Sequence, residues 1–139
     1  MTIDNSALDD AVRSIGDRWS LRLIGSLLEG DRTFSELSAE VDGIAPNILT
    51  ARLRALQRQA LVVATPYENR PVRMRYALTE PGRLLAGAIR SLAEWGARRT
   101  GRPASATHDP CGTTVESRPW CPTCERVIDG DETTHLVWA

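Results

Sequence analysis

Lysine is missing from this 139-residue chain: all 17 basic side chains are arginine, a bias that a GC-rich coding sequence imposes and that carries no chemistry by itself. Cysteine is scarce, and an odd total of three excludes a closed disulfide framework. All three, Cys111, Cys121 and Cys124, fall close together and so belong to one local structure. Histidine occurs only at His108 and His135, both near the C-terminal end. No nucleophile–base pair, paired carboxylates, phosphate loop or open metal site stands out, which sets an enzyme aside. No apolar run approaches the roughly 18 residues of a membrane span, and no charged, apolar, small-residue leader opens the chain. These absences argue against secretion and membrane spanning and make the cytoplasm the expected compartment.

What is present suits one core-bearing domain with an appendage. The net charge is only −1, but it is unevenly spread. Residues 1–43 carry −5, residues 44–76 carry +5, residues 77–102 carry +3 and residues 103–139 carry −4. Positive charge confined to an internal stretch is the electrostatic footprint expected for an anionic partner, although a solvated face balanced by nearby acids has the same arithmetic. The Pro/Ser/Thr/Gly-rich stretch 101–107 reads as a linker. It separates a first domain, residues 1–102, from a tail, residues 103–139.

Before the linker the pattern is mostly helical. Leu8, Val12 and Ile15 recur at helical spacing, and the apolar residues between Trp19 and Leu28 surround a second, buried helix that Gly30 ends. Thr33 followed by Glu36 is a capping-box pattern and starts a short helix through about Val41, with Phe34 and Leu37 inward. Asp42 and Gly43 turn the chain, and Pro46 opens the next helix, 46–59, with Leu49, Leu53 and Leu56 on one face. Residues 61–65 are apolar and β-branched, and Val72–Leu78 alternates apolar with polar. The segment 66–71 is rich in turn residues, so 61–78 reads as a hairpin. Thr79 then caps one long helix carrying Leu84, Leu85, Ala88, Ile89, Leu92 and Trp95. The expected class is mainly α with a small antiparallel hairpin (α+β), in the element order of a winged helix-turn-helix.

In that arrangement the helix after the turn enters the DNA major groove and the hairpin touches the flanking backbone. Asn47, Thr50, Ala51 and Arg54 lie at i, i+3, i+4 and i+7, a stripe away from the leucines and free of acids. An amide can bond adenine, a methyl can meet thymine's methyl and a guanidinium can clamp guanine. Arg52 and Arg58 flank the stripe. Arg73 and Arg75 share a strand face, with Arg70 at the hairpin tip, and suit phosphates or a narrow minor groove.

These residues also carry a resemblance. Ile15, Gly16 and Trp19 form IG-x-x-W; FSEL stands at 34–37, LTARLRAL at 49–56, YALTEPG at 76–82 and LAEWG at 92–96. Over about residues 6–96 this combination resembles the HxlR-type, MarR-like family of bacterial regulators. The resemblance implies a dimeric DNA-binding regulator whose first and last helices form the dimer interface, through Leu8, Val12, Leu85, Ile89, Leu92 and Trp95. Without it, the same residues read equally as core. Members that sense oxidants or electrophiles do so through a cysteine 13 residues before the signature tryptophan; here that position is Ser6, which argues against such sensing. Where the family carries an arginine before the FSEL phenylalanine, this chain has Thr33 preceded by Arg32, so a phosphate contact there rests on Thr33.

In the tail, His108 and Cys111 are separated by two residues, as are Cys121 and Cys124. Two such pairs match the two turns of a zinc ribbon, and three cysteines with a histidine complete a tetrahedral, closed and therefore structural Zn²⁺ site. His135 competes with His108 as fourth ligand. Free thiols, or a Cys121–Cys124 redox pair, are the other readings. The function expected is a sequence-specific, homodimeric repressor on an inverted-repeat operator, with a small-molecule effector left open. A winged-helix adaptor that binds protein, or a metal- or redox-responsive sensor acting through the tail, are the alternatives.

Overall fold

The computed structural model describes residues 5–103 and 107–129. The described chain divides into a central unit, Val12–Ile89, and a second unit made of the residues before and after it. The element order is α1 (Asn5–Ile15), α2 (Arg18–Leu28), β1 (Arg32–Thr33), α3 (Phe34–Glu40), α4 (Pro46–Arg58), β2 (Val62–Asn69), β3 (Val72–Leu78), α5 (Glu80–Arg83) and α6 (Ala86–Thr100). Four two-residue strands follow in the tail: β4 (Thr107–His108), β5 (Thr113–Thr114), β6 (Trp120–Cys121) and β7 (Arg126–Val127). This is the winged helix-turn-helix order that the sequence leads one to expect.

Local chemistry starts and stops each helix of the central unit. Asp17 caps α2, its Oδ1 accepting from the Trp19 and Ser20 backbone N–H groups at 3.0 Å each. Thr33 and Glu36 form the expected capping box at α3: the Thr33 N–H donates to the Glu36 carboxylate at 2.6 Å and the Thr33 hydroxyl accepts from the Glu36 N–H at 3.3 Å. Gly43 turns the chain at φ +80, and Pro46 occupies the first turn of α4. At the far end of α4, Ala60 takes a left-handed conformation, φ +55. The Leu61 N–H reaches back to the Leu56 carbonyl (3.0 Å) and the Ala60 N–H to that of Gln57 (3.0 Å), which is a Schellman ending.

Leu23, Ile24 and Leu27 of α2, Leu37 of α3 and Leu49, Leu53 and Leu56 of α4 bury one common core, closed by Val62 and Leu78 from the sheet. Phe34 packs on it half-buried. Burial of these faces, rather than helix propensity, holds such short helices in place.

The structure departs from the sequence expectation in three places. Arg32 and Thr33 form a short strand that pairs with β3, making a three-stranded antiparallel sheet of order β1-β3-β2 in place of a bare hairpin. The segment 66–71 is mostly strand: β2 continues to Asn69, and only Arg70 and Pro71 turn. Pro66 is tolerated because β2 is an edge strand, and the register slips between Pro66 and Glu68 in a bulge. The long final helix is broken after α5. Leu85 N–H bonds the Gly82 carbonyl in a tightened turn, and Leu84, beside it, is 81% exposed. The chain re-enters a helix at Ala86, with Leu85 and Ile89 half-buried against the core.

Candidate nucleic-acid interface

On α4 the three leucines are buried, so the opposite stripe must face solvent. Asn47, Ala51 and Arg54 are exposed. Thr50 is half-buried, its hydroxyl donating to the Pro46 carbonyl at 2.9 Å, so that O–H is spent within the helix. Ala45 precedes the helix without a side-chain cap, so its side chain takes up none of the first-turn N–H groups of α4.

The arginines separate into paired and unpaired. Arg52 stands 3.5 Å from Asp17. Burial alone would raise the Asp17 carboxyl, but the Ser20 hydroxyl and N–H, the Arg52 charge and the Trp19 N–H together hold it below the ordinary carboxylate range. Arg32 donates to Glu40 at 2.7 Å and sits 3.9 Å from Glu29, so it is committed within the protein. Among the described residues, Arg54, Arg58 and Arg70 enter no hydrogen bond or ion pair. Burial pushes the Tyr76 phenol above its usual value while the charge of Arg54 pulls it down, which places Arg54 near the central strand.

Arg73 and Arg75 are two residues apart on β3 and so share a face. Arg75 lies opposite Thr33 on one side and Thr65 on the other, its guanidinium 5.4 Å from the Tyr67 ring centroid. Its charge also reaches Glu36, whose carboxyl titrates below its ordinary value first because of the Thr33 backbone N–H and then the Thr33 hydroxyl. Arg73 lies opposite Glu68 in the register and pairs with it at 3.2 Å. Arg70 is exposed at the hairpin turn. Sequence reasoning missed the partners Asp17, Tyr67 and Glu68. Glu68 carries a signal in being the sole acid within 44–76, but its pairing depends on the bulge.

Of the candidate interface residues, Leu8 (48%), Val12 (56%), Leu92 (53%) and Trp95 (63%) are exposed, far more than apolar side chains in a core would be. Leu85 and Ile89 instead pack on the core. In the tail, His108 Nδ1 is 3.2 Å from Cys111 Sγ. The Cys121 thiol is held below its usual value by the Cys124 backbone N–H, and that of Cys111 by the Thr113 hydroxyl. Among the described residues, no three His, Cys, Asp or Glu side chains gather into a metal-holding cluster. His135 lies outside the described residues. No helix among them is long and apolar enough to cross a membrane.

Comparison with known proteins agrees with the geometry. The family described as HxlR-like helix-turn-helix matches residues 14–103. An uncharacterized HTH-type transcriptional regulator of Mycobacterium tuberculosis is 33% identical over 135 residues, spanning 94% of this chain and 85% of the relative. A solved structure from Pseudomonas aeruginosa named as a transcription factor superposes with a TM-score of 0.67 at 29% identity, covering 88% of this chain and 86% of that one. The redox regulator HypR in its reduced form gives a TM-score of 0.64 at 28% identity, covering 68% and 93%.

Proposed function

Because the chain belongs to the HxlR-like helix-turn-helix family, we propose that it represses transcription by binding an inverted-repeat operator as a homodimer, with α4 in the major groove and the β2–β3 hairpin on the flanking backbone. It is a helix-turn-helix transcription regulator rather than an enzyme. The observation that carries the finer reading is α4 itself: its leucines are buried while Asn47, Ala51 and the unpaired Arg54 face solvent on one stripe.

Each side chain of that stripe has a base partner in the groove. Asn47 matches adenine's donor–acceptor edge, Ala51 the thymine methyl and Arg54 the two acceptors of guanine. Arg70, Arg73 and Arg75 on the wing, and the uncapped first turn of α4, take phosphates and fix the register on the duplex. A second copy joins through the exposed apolar side chains of α1 and α6, which sets the two recognition helices about one helical turn apart on the DNA. In that role the protein works in the cytoplasm.

The test is capture of fragmented bacterial genomic DNA by the purified chain at about 150 mM salt, followed by sequencing of what is retained. Enrichment of a few palindromic sites supports the reading and reveals the operator. Retention that follows DNA length alone, without sequence enrichment, overturns it.

A further inference from the structure

The tail contains one structural unit twice. In the first copy, β4 ends on His108 and β5 returns from Thr113, with His108 and Thr113 paired in register. In the second, β6 ends on Cys121 and β7 returns from Arg126, with Cys121 and Arg126 paired in register. Each outgoing strand therefore ends on a potential metal ligand, and a second ligand, Cys111 or Cys124, follows three residues later. The next residue is left-handed in both: Gly112 at φ +67 and Glu125 at φ +51. Glycine takes that conformation freely, whereas glutamate does so only where the turn requires it. The shared geometry at unlike residues thus belongs to the turn, not to the side chain.

The first turn is closed on itself: the Cys111 and Gly112 N–H groups both donate to the His108 carbonyl, at 3.1 and 2.7 Å. This folds the imidazole and thiol toward one another, with His108 Nδ1 and Cys111 Sγ 3.2 Å apart. Apolar burial does not account for the order of the tail. Within 107–129 no residue is buried, only Cys121 and Ile128 are half-buried, and Val115, Trp120 and Val127 are exposed. The cysteines form no disulfide, and an odd number cannot pair off. A segment this small and open is ordinarily held by a cross-link or a metal.

We propose that the two turns close on a single Zn²⁺ held by His108, Cys111, Cys121 and Cys124. One imidazole and three thiolates satisfy tetrahedral zinc and leave no open position, so the site is structural. On binding, the three thiols release their protons to solvent, and the second turn is drawn onto the first. The metal site does not depend on the operator reading, and each is measured separately.

The experiment uses the full chain, purified under reductant. Native mass spectrometry should give one zinc per chain, and replacement by Co²⁺ should give thiolate-to-cobalt charge-transfer bands with the intense d–d absorption of a tetrahedral centre. Cys111→Ser and Cys121→Ser should each abolish stoichiometric binding. His108→Ala should weaken binding at least tenfold and shift the cobalt spectrum, while His135→Ala should leave both unchanged. The cobalt spectrum of the unsubstituted chain keeps the test independent of whether a variant's tail folds. A metal-free chain under reductant, a Cys121–Cys124 disulfide in its place, or metal loss on His135→Ala with retention on His108→Ala would overturn the assignment.

Discussion

Arg52 Nη1 lies 3.5 Å from Asp17 Oδ2, an ion pair that ties α4 to the N-cap of α2. The same carboxylate accepts from two backbone N–H groups and, at 2.6 Å, from the Ser20 hydroxyl. Asp17→Ala removes the cap and should cost about 1–2 kcal/mol in urea unfolding; the partly exposed Arg52 pair adds little. The carboxyl titrates lower folded than unfolded. Its contribution is therefore complete above the unfolded value, about 3.9, and is lost as the pH falls through the lower folded value. Asp17→Asn keeps a capping oxygen but not the titration, so its stability should fall less steeply in acid. Parallel acid limbs for the two proteins would refute this.

Among the described residues Arg54 enters no ion pair, whereas Arg73 is held by Glu68, so the two should behave differently on DNA. Arg54→Ala should cost about 1–3 kcal/mol on the operator and relax base preference at one position. Arg73→Ala should weaken all sequences alike and lower the salt slope by about 1. Glu68→Gln releases Arg73 and removes the one acid of the 44–76 stretch, so it should tighten binding and steepen the salt dependence. Fluorescence anisotropy across a salt series on operator and scrambled duplexes separates these outcomes. Equal affinity for all three variants and the parent would remove the wing and α4 from the interface.

What could be read in the sequence is what local chemistry decides. The leucine spacing of α4 dictated which side is buried, and hence that Asn47, Ala51 and Arg54 are exposed. The Thr33–Glu36 capping box was legible because both partners lie within one turn. The pairing of β1 with β3, the bulge after Pro66 and the break at Leu84 depend on tertiary neighbours, and none has a local signature. The same holds at the site. That Arg52 faces Asp17, and that Arg73 meets Glu68, follow from the packing of α4 on α2 and from a shifted register.

Two backbone positions near the start of the wing should respond in opposite directions. A Cβ at Gly82 would sit 2.3 Å from the Leu61 carbonyl oxygen and 3.1 Å from Leu78 Cδ2. The first of these is backbone and cannot swing away, so Gly82→Ala should destabilise by about 1–3 kcal/mol. Ala60 is a non-glycine residue held at φ +55 in the Schellman ending of α4. Ala60→Gly relieves that conformation and should stabilise by about 0.5–1 kcal/mol, the left-handed penalty less the added freedom of the unfolded chain. Thermal unfolding of both variants checks the pair, and a loss on Ala60→Gly would contradict the account.

Trp95 offers the sharpest test of the dimer, because its ring is mostly exposed, with the Arg99 guanidinium 5.2 Å from its centroid. A charge there should leave the core of the central unit untouched, since Trp95 lies outside that unit and its side chain is mostly exposed. Trp95→Glu should therefore keep the helical circular dichroism of the parent while shifting sedimentation from dimer to monomer. With only one head engaged at a time, operator affinity should drop by roughly 100-fold or more, while binding to an isolated half-site stays the same. Ile89 sits half-buried against the core, so Ile89→Ala should instead lower the unfolding temperature before it changes assembly. If Trp95→Glu stays dimeric at full operator affinity, subunits meet elsewhere and the apolar side chains of α6 serve another purpose.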